Sequence, residues 1–456
     1  EDNTTGANNT AVGYQAMQLN STGPHNTAVG HTALLSNTTG DSNTAVGSTA
    51  LDANTTGAAN TAMGYAALGA TTTGIRNTGL GAYALATNTT GTKNAAVGFY
   101  ALQANTEGEQ NVAVGQNALD ANTTADDNTA VGFNSLGANS TGTQNTAVGS
   151  LALDANTTGN ENTAVGYISL SQATTAAGNT AMGWGSALNT TTGYANVAMG
   201  LSALGANTTG YSNTAVGYAA LDANTTSTDN TAVGTHALSA NTTGSQNTGV
   251  GRSAGYQIST GARNTMLGHQ TGGTLTTGND NISIGYLADT GSSTAAHRIT
   301  IGNNIASVGD NYFTFGRNGN RVYNLFSSNA SWTHSSDERL KTNIQNDTLG
   351  LDFINRLQPR TFQWKPSNEV PQTLTDSYNE TNQMDTSVVM NGFIAQEVKQ
   401  ALDDSSAGTQ GIWSTEPDGT QALSRDMMIM PLVNAVKELK AELDAAKTRI
   451  ATLEAE

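Results

Sequence analysis

The segment Asn43-Thr-Ala-Val-Gly-Ser-Thr-Ala-Leu-Asp-Ala-Asn-Thr-Thr-Gly-Ala-Ala59 is one unit of a 17-residue repeat. Each unit opens with asparagine and has glycine four residues later, and this spacing holds without insertion from Asn9 to Gly285. A weaker copy, Arg298-Ile-Thr-Ile-Gly302, keeps the register without the asparagine. A fixed period means that every unit stacks on its neighbours in one geometry, so the sequence predicts a solenoid. The repeated asparagines are Asn9, Asn26, Asn43, Asn60, Asn77, Asn94, Asn111, Asn128, Asn145, Asn162, Asn179, Asn196, Asn213, Asn230, Asn247, Asn264 and Asn281.

A unit of this length is too short for a pair of helices. Thr-Ala-Val is β-prone, and the glycine and the Asn-Thr-Thr-Gly segment are typical of turns. We therefore predict a mostly β chain in which each unit is one coil of a parallel β-solenoid, with two short strands and two turns. Coils spaced about 4.8 Å apart give a rod of about 80 Å.

Alternation of side chains along a strand assigns a face to each position of the repeat. We expect valine at the fourth position (Val12, Val29, Val46, with Met63 as a variant) and leucine at the ninth (Leu34, Leu51) to point into the coil. Alanine at the third position and glycine at the fifth then face outward. Small outward residues permit close approach of other chains, and so thin a core favours oligomerisation.

The repeated asparagine has two interpretations: a ladder whose amides satisfy turn backbone from coil to coil, or a ligand surface. The ladder is favoured. The sixth position is aromatic in about half the units, and such rings either stack on sugars or cover a coil edge or a seam between chains. These aromatic residues are Tyr14, Tyr65, Phe99, Phe133, Tyr167, Trp184, Tyr218 and Tyr286.

Composition divides the chain into two regimes. Residues 1–300 have 5 Lys and Arg and 15 Asp and Glu, whereas residues 301–456 have 13 and 20. The net charge of −17 without basic clusters argues against nucleic-acid binding, and no apolar run is long enough to cross a membrane. There is no cysteine, the six histidines are scattered, and aspartates do not recur in a calcium-loop pattern, so neither metal nor cofactor is predicted.

The repeat region, about residues 9–302, resembles the heads of trimeric autotransporter adhesins, whose Asn-x-x-Ala-Ile/Val-Gly units build a left-handed parallel β-roll in trimers. The resemblance implies this handedness. The 17-residue period is longer than the units common in that family, which places the additional residues in a turn. We assign residues 1–302 to a shaft.

Residues 303–335 are predicted to form a β-rich neck. The repeat gives way here to Tyr312-Phe-Thr-Phe-Gly316 and Arg321-Val-Tyr-Asn-Leu-Phe326, with an Asn-Gly turn at residues 318–319. This pattern indicates a β-hairpin or a short intertwined β-segment.

The C-terminal region contains several ordered motifs. They are His334-Ser-Ser-Asp-Glu-Arg-Leu-Lys-Thr-Asn-Ile344, Gly350-Leu-Asp-Phe-Ile-Asn-Arg-Leu-Gln-Pro359, Thr361-Phe-Gln-Trp-Lys365, Gly392-Phe-Ile-Ala-Gln-Glu-Val398 and Met430-Pro-Leu-Val-Asn-Ala-Val-Lys-Glu-Leu439. Together they resemble the intramolecular chaperone domain of phage tail spikes and fibres, the self-cleaving S74 peptidase family. The resemblance implies an α+β chaperone domain over residues 336–430.

In that family a serine attacks the peptide bond that precedes it. The resemblance implies that Ser336 is this nucleophile, that Ser335–Ser336 is the scissile bond, and that Lys341 is the base. A lysine amine can serve as a base when burial lowers its pKa, and trimerisation is one source of burial. In the alternative interpretation, Ser336 caps a helix or turn and Lys341 is solvated. We expect Asp337 and Arg339 to pair within the domain.

The tail, residues 431–456, has a heptad pattern. Val436, Leu443 and Ile450 occupy one core position, and Leu439, Ala446 and Leu453 the other. This predicts a short coiled coil that brings chains together and sets their register, the alternative being a helix packed on its own domain. Three strands, and hence a homotrimer, are implied by the family.

The resulting prediction is a homotrimeric fibre segment of a phage tail, located in the virion, that attaches to a host receptor or glycan. Catalysis is limited to single-turnover self-cleavage. A bacterial surface adhesin or filament with the same chaperone is the alternative. A depolymerase needs paired carboxylates, whereas the acids of the repeat (Asp52, Asp120, Asp154, Asp222) recur singly. An ice-binding solenoid is disfavoured because the threonine-rich segments lie in predicted turns.

Overall fold

Thr-Ala-Val forms a three-residue strand in coil after coil, and these strands stack into one long parallel sheet. Asn9 begins the first coil, and Thr10 pairs with Thr27 one repeat later, as Thr27 does with Thr44. The strands are β1 (Thr10–Val12), β2 (Thr27–Val29), β3 (Thr44–Val46), β4 (Thr61–Met63), β5 (Thr78–Leu80), β6 (Ala95–Val97), β7 (Val112–Val114), β8 (Thr129–Val131), β9 (Thr146–Val148), β10 (Thr163–Val165), β11 (Thr180–Met182), β12 (Val197–Met199), β13 (Thr214–Val216), β14 (Thr231–Val233), β15 (Thr248–Val250), β16 (Thr265–Leu267), β17 (Ile282–Tyr286) and β18 (Ile299–Asn303). The predicted parallel β-solenoid is confirmed.

This computed structural model describes residues 3–318, 320–325, 333–334, 336–374, 378, 380–381, 386–406, 408, 410–416, 419–424 and 426–455. The chain divides into two compact units, Glu1–Ser335 and Ser336–Glu456. The finer boundaries at residues 302 and 430 remain predictions.

The two faces of the strands are the reverse of those expected from the sequence. Alanine at the third position is fully buried, as at Ala28 and Ala62, whereas Val29 and Met63 are 36% and 48% exposed. The prediction for leucine at the ninth position is confirmed, since Leu34 and its equivalents are buried. Because leucine enters from the opposite side of a narrow coil, only a methyl group fits on the strand side.

The fourth-position side chains therefore form an outward apolar row, here called the valine stripe. Its members are Val12, Val29, Val46, Met63, Leu80, Val97, Val114, Val131, Val148, Val165, Met182, Met199, Val216, Val233, Val250, Leu267, Ile284 and Ile301. None of them is buried in the single chain.

The second strand predicted for each coil is absent from the described residues of the shaft. The segment after the glycine is instead a series of turns, in which Thr32 and Leu34 adopt φ values of 53° and 52°. These left-handed conformations are unusual for residues other than glycine. They are held by hydrogen bonds between coils, such as Leu34 N–H to Ala50 O (3.0 Å) and Ser36 N–H to Asp52 O (3.0 Å).

The predicted asparagine ladder is present and buried. Asn26 N–H donates to Asn9 Oδ1 (2.8 Å), and Asn26 Nδ2 donates to Gly40 O (2.9 Å) across its own coil. A second ladder, which was not predicted, runs through the twelfth position, where Asn54 Nδ2 donates to Asn37 Oδ1 (2.7 Å). The two ladders satisfy buried backbone groups that the turns of each coil would otherwise leave unpaired.

The glycine at the fifth position is required by the close approach of successive coils. Gly149 has φ +141°, and a Cβ there would overlap the carbonyl oxygen of Gly166. We expect Gly149→Ala to destabilise the shaft locally by about 2 kcal/mol or more, because it adds both backbone strain and a steric clash. Gly69→Ala is the control, since its nearest contact is 3.3 Å and its φ is not left-handed. Thermal unfolding followed by circular dichroism tests this, and equal midpoints for the two variants would contradict it.

After β18 the sheet continues into a hairpin. β19 (Tyr312–Arg317) pairs in parallel with β18 and antiparallel with β20 (Asn320–Leu325), which in turn pairs with β21 (Thr333–His334). Of the two structures predicted for the neck, the hairpin is the one observed. Its first strand is also the last rung of the solenoid sheet.

The second unit is a small α+β domain. Its helices are α1 (Leu351–Arg356), α2 (Ala395–Asp404) and α3 (Ile429–Ala455), with 3₁₀ turns at Glu338–Leu340, Ser367–Glu369 and Asp426–Met428. β22 (Arg360–Phe362) pairs with β23 (Met390–Gly392), and β24 (Trp413–Thr415) with β25 (Gln421–Leu423), both antiparallel. The core consists of Leu349, Phe353, Val398, Ala401, Leu402, Ile412 and Met428.

Candidate self-cleavage site

Ser336 and Lys341 lie at the start of the second unit, on either side of the 3₁₀ turn Glu338–Leu340. Lys341 Nζ lies 2.7 Å from Ser336 Oγ and donates a hydrogen bond to it. A hydroxyl and an amine at this distance have the geometry that proton transfer to a general base requires. The structure thus brings together the two predicted residues, and their catalytic roles remain predictions.

Asp337 and Arg339 shape the turn that sets this distance. Asp337 caps the turn, with its carboxylate accepting from Arg339 N–H (2.8 Å), and the Arg339 guanidinium donates two further hydrogen bonds to it (3.0 and 2.6 Å). These hydrogen bonds hold the pKa of the Asp337 carboxyl below its usual value. The expected pairing of Asp337 with Arg339 is observed, and the cap is Asp337 rather than Ser336.

The site is open to solvent in the single chain. Every residue from Ser336 to Lys341 is exposed, and Ser335 lies outside the described residues. Water stabilises a charged lysine ammonium, which cannot accept the serine proton. In the single chain, the Ser336 hydroxyl and the Lys341 amine are therefore in contact but both open to solvent.

The segment that follows the site is anchored to the first half of α3. Asn434 Nδ2 donates to Leu349 O (3.0 Å), and Glu438 Oε2 accepts from Leu351 N–H (2.6 Å). Pro431 and Ala435 are buried on the same side of the helix. Beyond Glu438, every described residue of α3 is exposed.

Residues 336–406 match a known family, Peptidase S74, whose description is chaperone of endosialidase. That match identifies this segment as an S74 chaperone region. It begins at Ser336, which is also the first residue of the second structural unit. No curated protein and no solved structure matches the chain. The S74 region and the solenoid of 17-residue repeats together fit a fibre or spike with an intramolecular chaperone.

The helix that follows the S74 region exposes the predicted heptad residues. Val436, Leu443 and Ile450 are each more than half exposed, as is Leu453. The same spacing continues backward to Ile429 and Leu432, both also about half exposed, so the apolar seam begins one heptad earlier than predicted. The signal for this extension was present in the sequence, since these residues lie seven positions before Val436 and Leu439.

The four tenth-position aspartates of the shaft, Asp52, Asp120, Asp154 and Asp222, are too far apart to form a carboxylate pair. Burial raises the pKa of the Asp52, Asp120 and Asp222 carboxyls. At least two coils, about 10 Å of rise, separate any two of the four tenth-position aspartates.

Among the residues that the structure describes, no three His, Asp or Glu side chains cluster in a way that could hold a metal ion. No helix within the described ranges is long and apolar enough to span a bilayer.

Proposed function

We propose that this chain is a segment of a homotrimeric phage tail fibre or tail spike that contacts the host surface. Residues 1–302 form the shaft and residues 303–335 the neck. Residues 336–430 form the chaperone domain and residues 431–456 a coiled coil. The chaperone assembles the trimer and then releases itself by cleavage of the Ser335–Ser336 bond, with Ser336 as nucleophile and Lys341 as base.

The observation that carries this proposal is the 2.7 Å contact between Ser336 Oγ and Lys341 Nζ in a segment that matches the S74 family. A serine and a lysine five residues apart are common in any surface turn. A direct hydrogen bond between them, at the first residue of both the family match and the structural unit, favours a cleavage site.

The chemistry follows from the position of Ser336 next to the bond that it attacks. Neutral Lys341 takes the hydroxyl proton, and Oγ adds to the carbonyl carbon of residue 335. The proton passes to the nitrogen of Ser336 as the C–N bond breaks, which leaves an ester on Oγ and a free amine. Water then hydrolyses the ester, giving a carboxylate on residue 335 and regenerating the Ser336 hydroxyl.

Assembly of three chains would cover the surfaces that are exposed in the single chain. Both apolar surfaces, the valine stripe and the heptad seam, are uncovered in one chain, and contiguous apolar surface of this extent marks an interaction site. Association of three copies through these surfaces buries them. If the same association covers Lys341, it favours the neutral amine, so that only assembled chains are cleaved.

A denaturing gel of the full chain beside Ser336→Ala tests the proposal. Wild type is expected to release a fragment containing residues 336–456, and the variant to stay full length because it lacks the attacking oxygen. Light scattering on the same samples should show trimers for both proteins. Trimeric wild type that releases no fragment would contradict self-cleavage.

Host attachment needs a separate test. Fluorescently labelled trimers should bind to host cells, and antibodies against the shaft should label phage tails in electron micrographs. Labelling of a bacterial surface in cells without phage would favour the adhesin alternative.

A further inference from the structure

The last coils of the shaft contain a cleft of about 690 Å³. This volume is within the range typical of sites for small ligands. Its walls come from four successive coils, and the lining residues are Tyr256, Gln257, Gln270, Gly273, Thr274, Thr276, Leu287, Asp289, Ser293, Asn304, Ile305 and Ala306.

The cleft exists because the last coil is shorter than the others. Ile299 pairs with Ile282, 17 residues earlier, but with Phe313 only 14 residues later. The parallel bridge between Asp289 and Ala306 keeps the 17-residue spacing, so the three missing residues fall after Ala306. The last coil therefore lacks the turn that would otherwise cover the part of the preceding coil around Asp289.

Gly273 lines the cleft, in the coil between those of Tyr256 and Asp289. A Cβ at this position would lie 3.8 Å from Tyr256 Cε1 on one side and 3.8 Å from Asp289 Oδ2 on the other. The glycine thus lies between an aromatic ring and a carboxylate. A larger side chain here would fill the space between them.

Two side chains of the cleft, Asp289 and Gln257, are held in place by hydrogen bonds, and Asp289 can accept a further one. Asp289 Oδ1 accepts from Thr274 Oγ1 (2.7 Å) and from Gly291 N–H (3.2 Å), whereas Oδ2 accepts no hydrogen bond from the described residues. Gln257 Nε2 donates to the Tyr256 hydroxyl (2.9 Å), which orients the phenol. A hydrogen-bond acceptor and an aromatic ring, with a glycine between them, suit a ligand that has both hydroxyls and an apolar surface.

We propose that this cleft binds a neutral oligosaccharide. A sugar ring offers hydroxyl donors to Asp289 and C–H groups to the Tyr256 ring, and the amides of Gln270 and Asn304 can bond its remaining hydroxyls. An anionic sugar is disfavoured, because none of the lining residues is Lys or Arg while Asp289 supplies negative charge. The proposal deepens the proposed attachment function by naming the ligand class and its place on the shaft.

The test is a titration of the full chain with defined sugars, followed by calorimetry on any that bind. Lactose, maltotriose and chitotriose are the neutral probes, and sialyllactose is the acidic counterpart of lactose. We expect at least one neutral sugar to bind, and Gly273→Leu and Tyr256→Ala each to weaken it by about tenfold or more. Gly205→Leu is the matched control, since Gly205 occupies the same position of another coil, away from the cleft.

Several results would overturn the proposal: no neutral sugar bound, sialyllactose preferred to lactose, or unchanged affinity in both cleft variants. Trimer mass and fragment release, measured on the same preparations, separate this result from the proposed function. A trimer that cleaves but binds no neutral sugar refutes the cleft alone. Chains that bind sugar through Gly273 without assembling refute the assembly mechanism and support the cleft.

Discussion

Lys341→Met is expected to slow release of residues 336–456 strongly while leaving the trimer intact. Methionine keeps the length and apolar stem of lysine but cannot accept the Ser336 proton. Loss of a positioned general base typically slows a reaction by about 10²–10⁴-fold, so a fragment that wild type releases in minutes should take hours to days. Fragment yield against time, measured by densitometry of denaturing gels, checks this.

Arg339→Met is the control, because Arg339 lies in the same turn and is exposed but contacts Asp337 rather than Ser336. Its cleavage rate should stay within a few-fold of wild type, since the Asp337 cap retains its hydrogen bond to the backbone of residue 339. Lys341→Met cleaving as fast as wild type would show that the observed Ser–Lys contact is only a surface hydrogen bond.

The sequence predicted the stacking of the shaft but not which face of each strand is inside. In Thr-Ala-Val the first and third residues share a face, so alternation leaves two choices. Apolar character favoured valine inside, yet Val29 is outside and Ala28 is buried. The choice depends on the width of the coil, which is set by Leu34 entering from the other side, and width is not visible in a periodic pattern.

Two coils show a compensation that only the structure explains. In the units that begin at Asn247 and Asn264, the ninth residue is glycine and the twelfth is Ile258 or Leu275, both buried. A Cβ on Gly255 would lie 3.0 Å from Ile258 Cδ1. In the first of these units Ile258 therefore occupies the space of the usual leucine, whereas in the second a Cβ on Gly272 would meet Met266, so the third-position methionine fills that space. The second asparagine ladder does not continue into these two units.

The candidate site was largely predictable because its evidence is a motif rather than a periodicity. The resemblance to the S74 family implied the pair Ser336 and Lys341, and the structure places the two side chains in contact. The helix cap was not predictable, since serine and aspartate are comparable caps and Ser336 and Asp337 are adjacent. The extended backbone of Asp337 (φ −66°, ψ 135°) decides in its favour.

The double substitution Leu443→Asp with Ile450→Asp is expected to abolish assembly altogether. Both side chains lie on the seam that runs from Ile429 along α3, and in a trimer they would place six carboxylates (two from each of three chains) in one apolar core. Desolvating each charge costs several kcal/mol, more than a coiled coil of about four heptads can offset. Light scattering should then show monomers or irregular aggregates, and the Ser335–Ser336 bond should remain intact.

Ala441→Asp with Thr448→Asp is the matched control. Each position lies two residues before a substituted seam residue, so the control adds the same charge to the same turns of the helix. In a heptad arrangement, however, both positions face away from the seam. The control should therefore form trimers and release its fragment.

Because neighbouring strands of the shaft pair identically at every 17-residue step, chains that meet in the wrong register can still pair. The seam on α3 is aperiodic at that spacing, which makes it the element suited to set the register. If the variant with Leu443→Asp and Ile450→Asp still formed cleaved trimers, the valine stripe rather than α3 would be the element that sets the register.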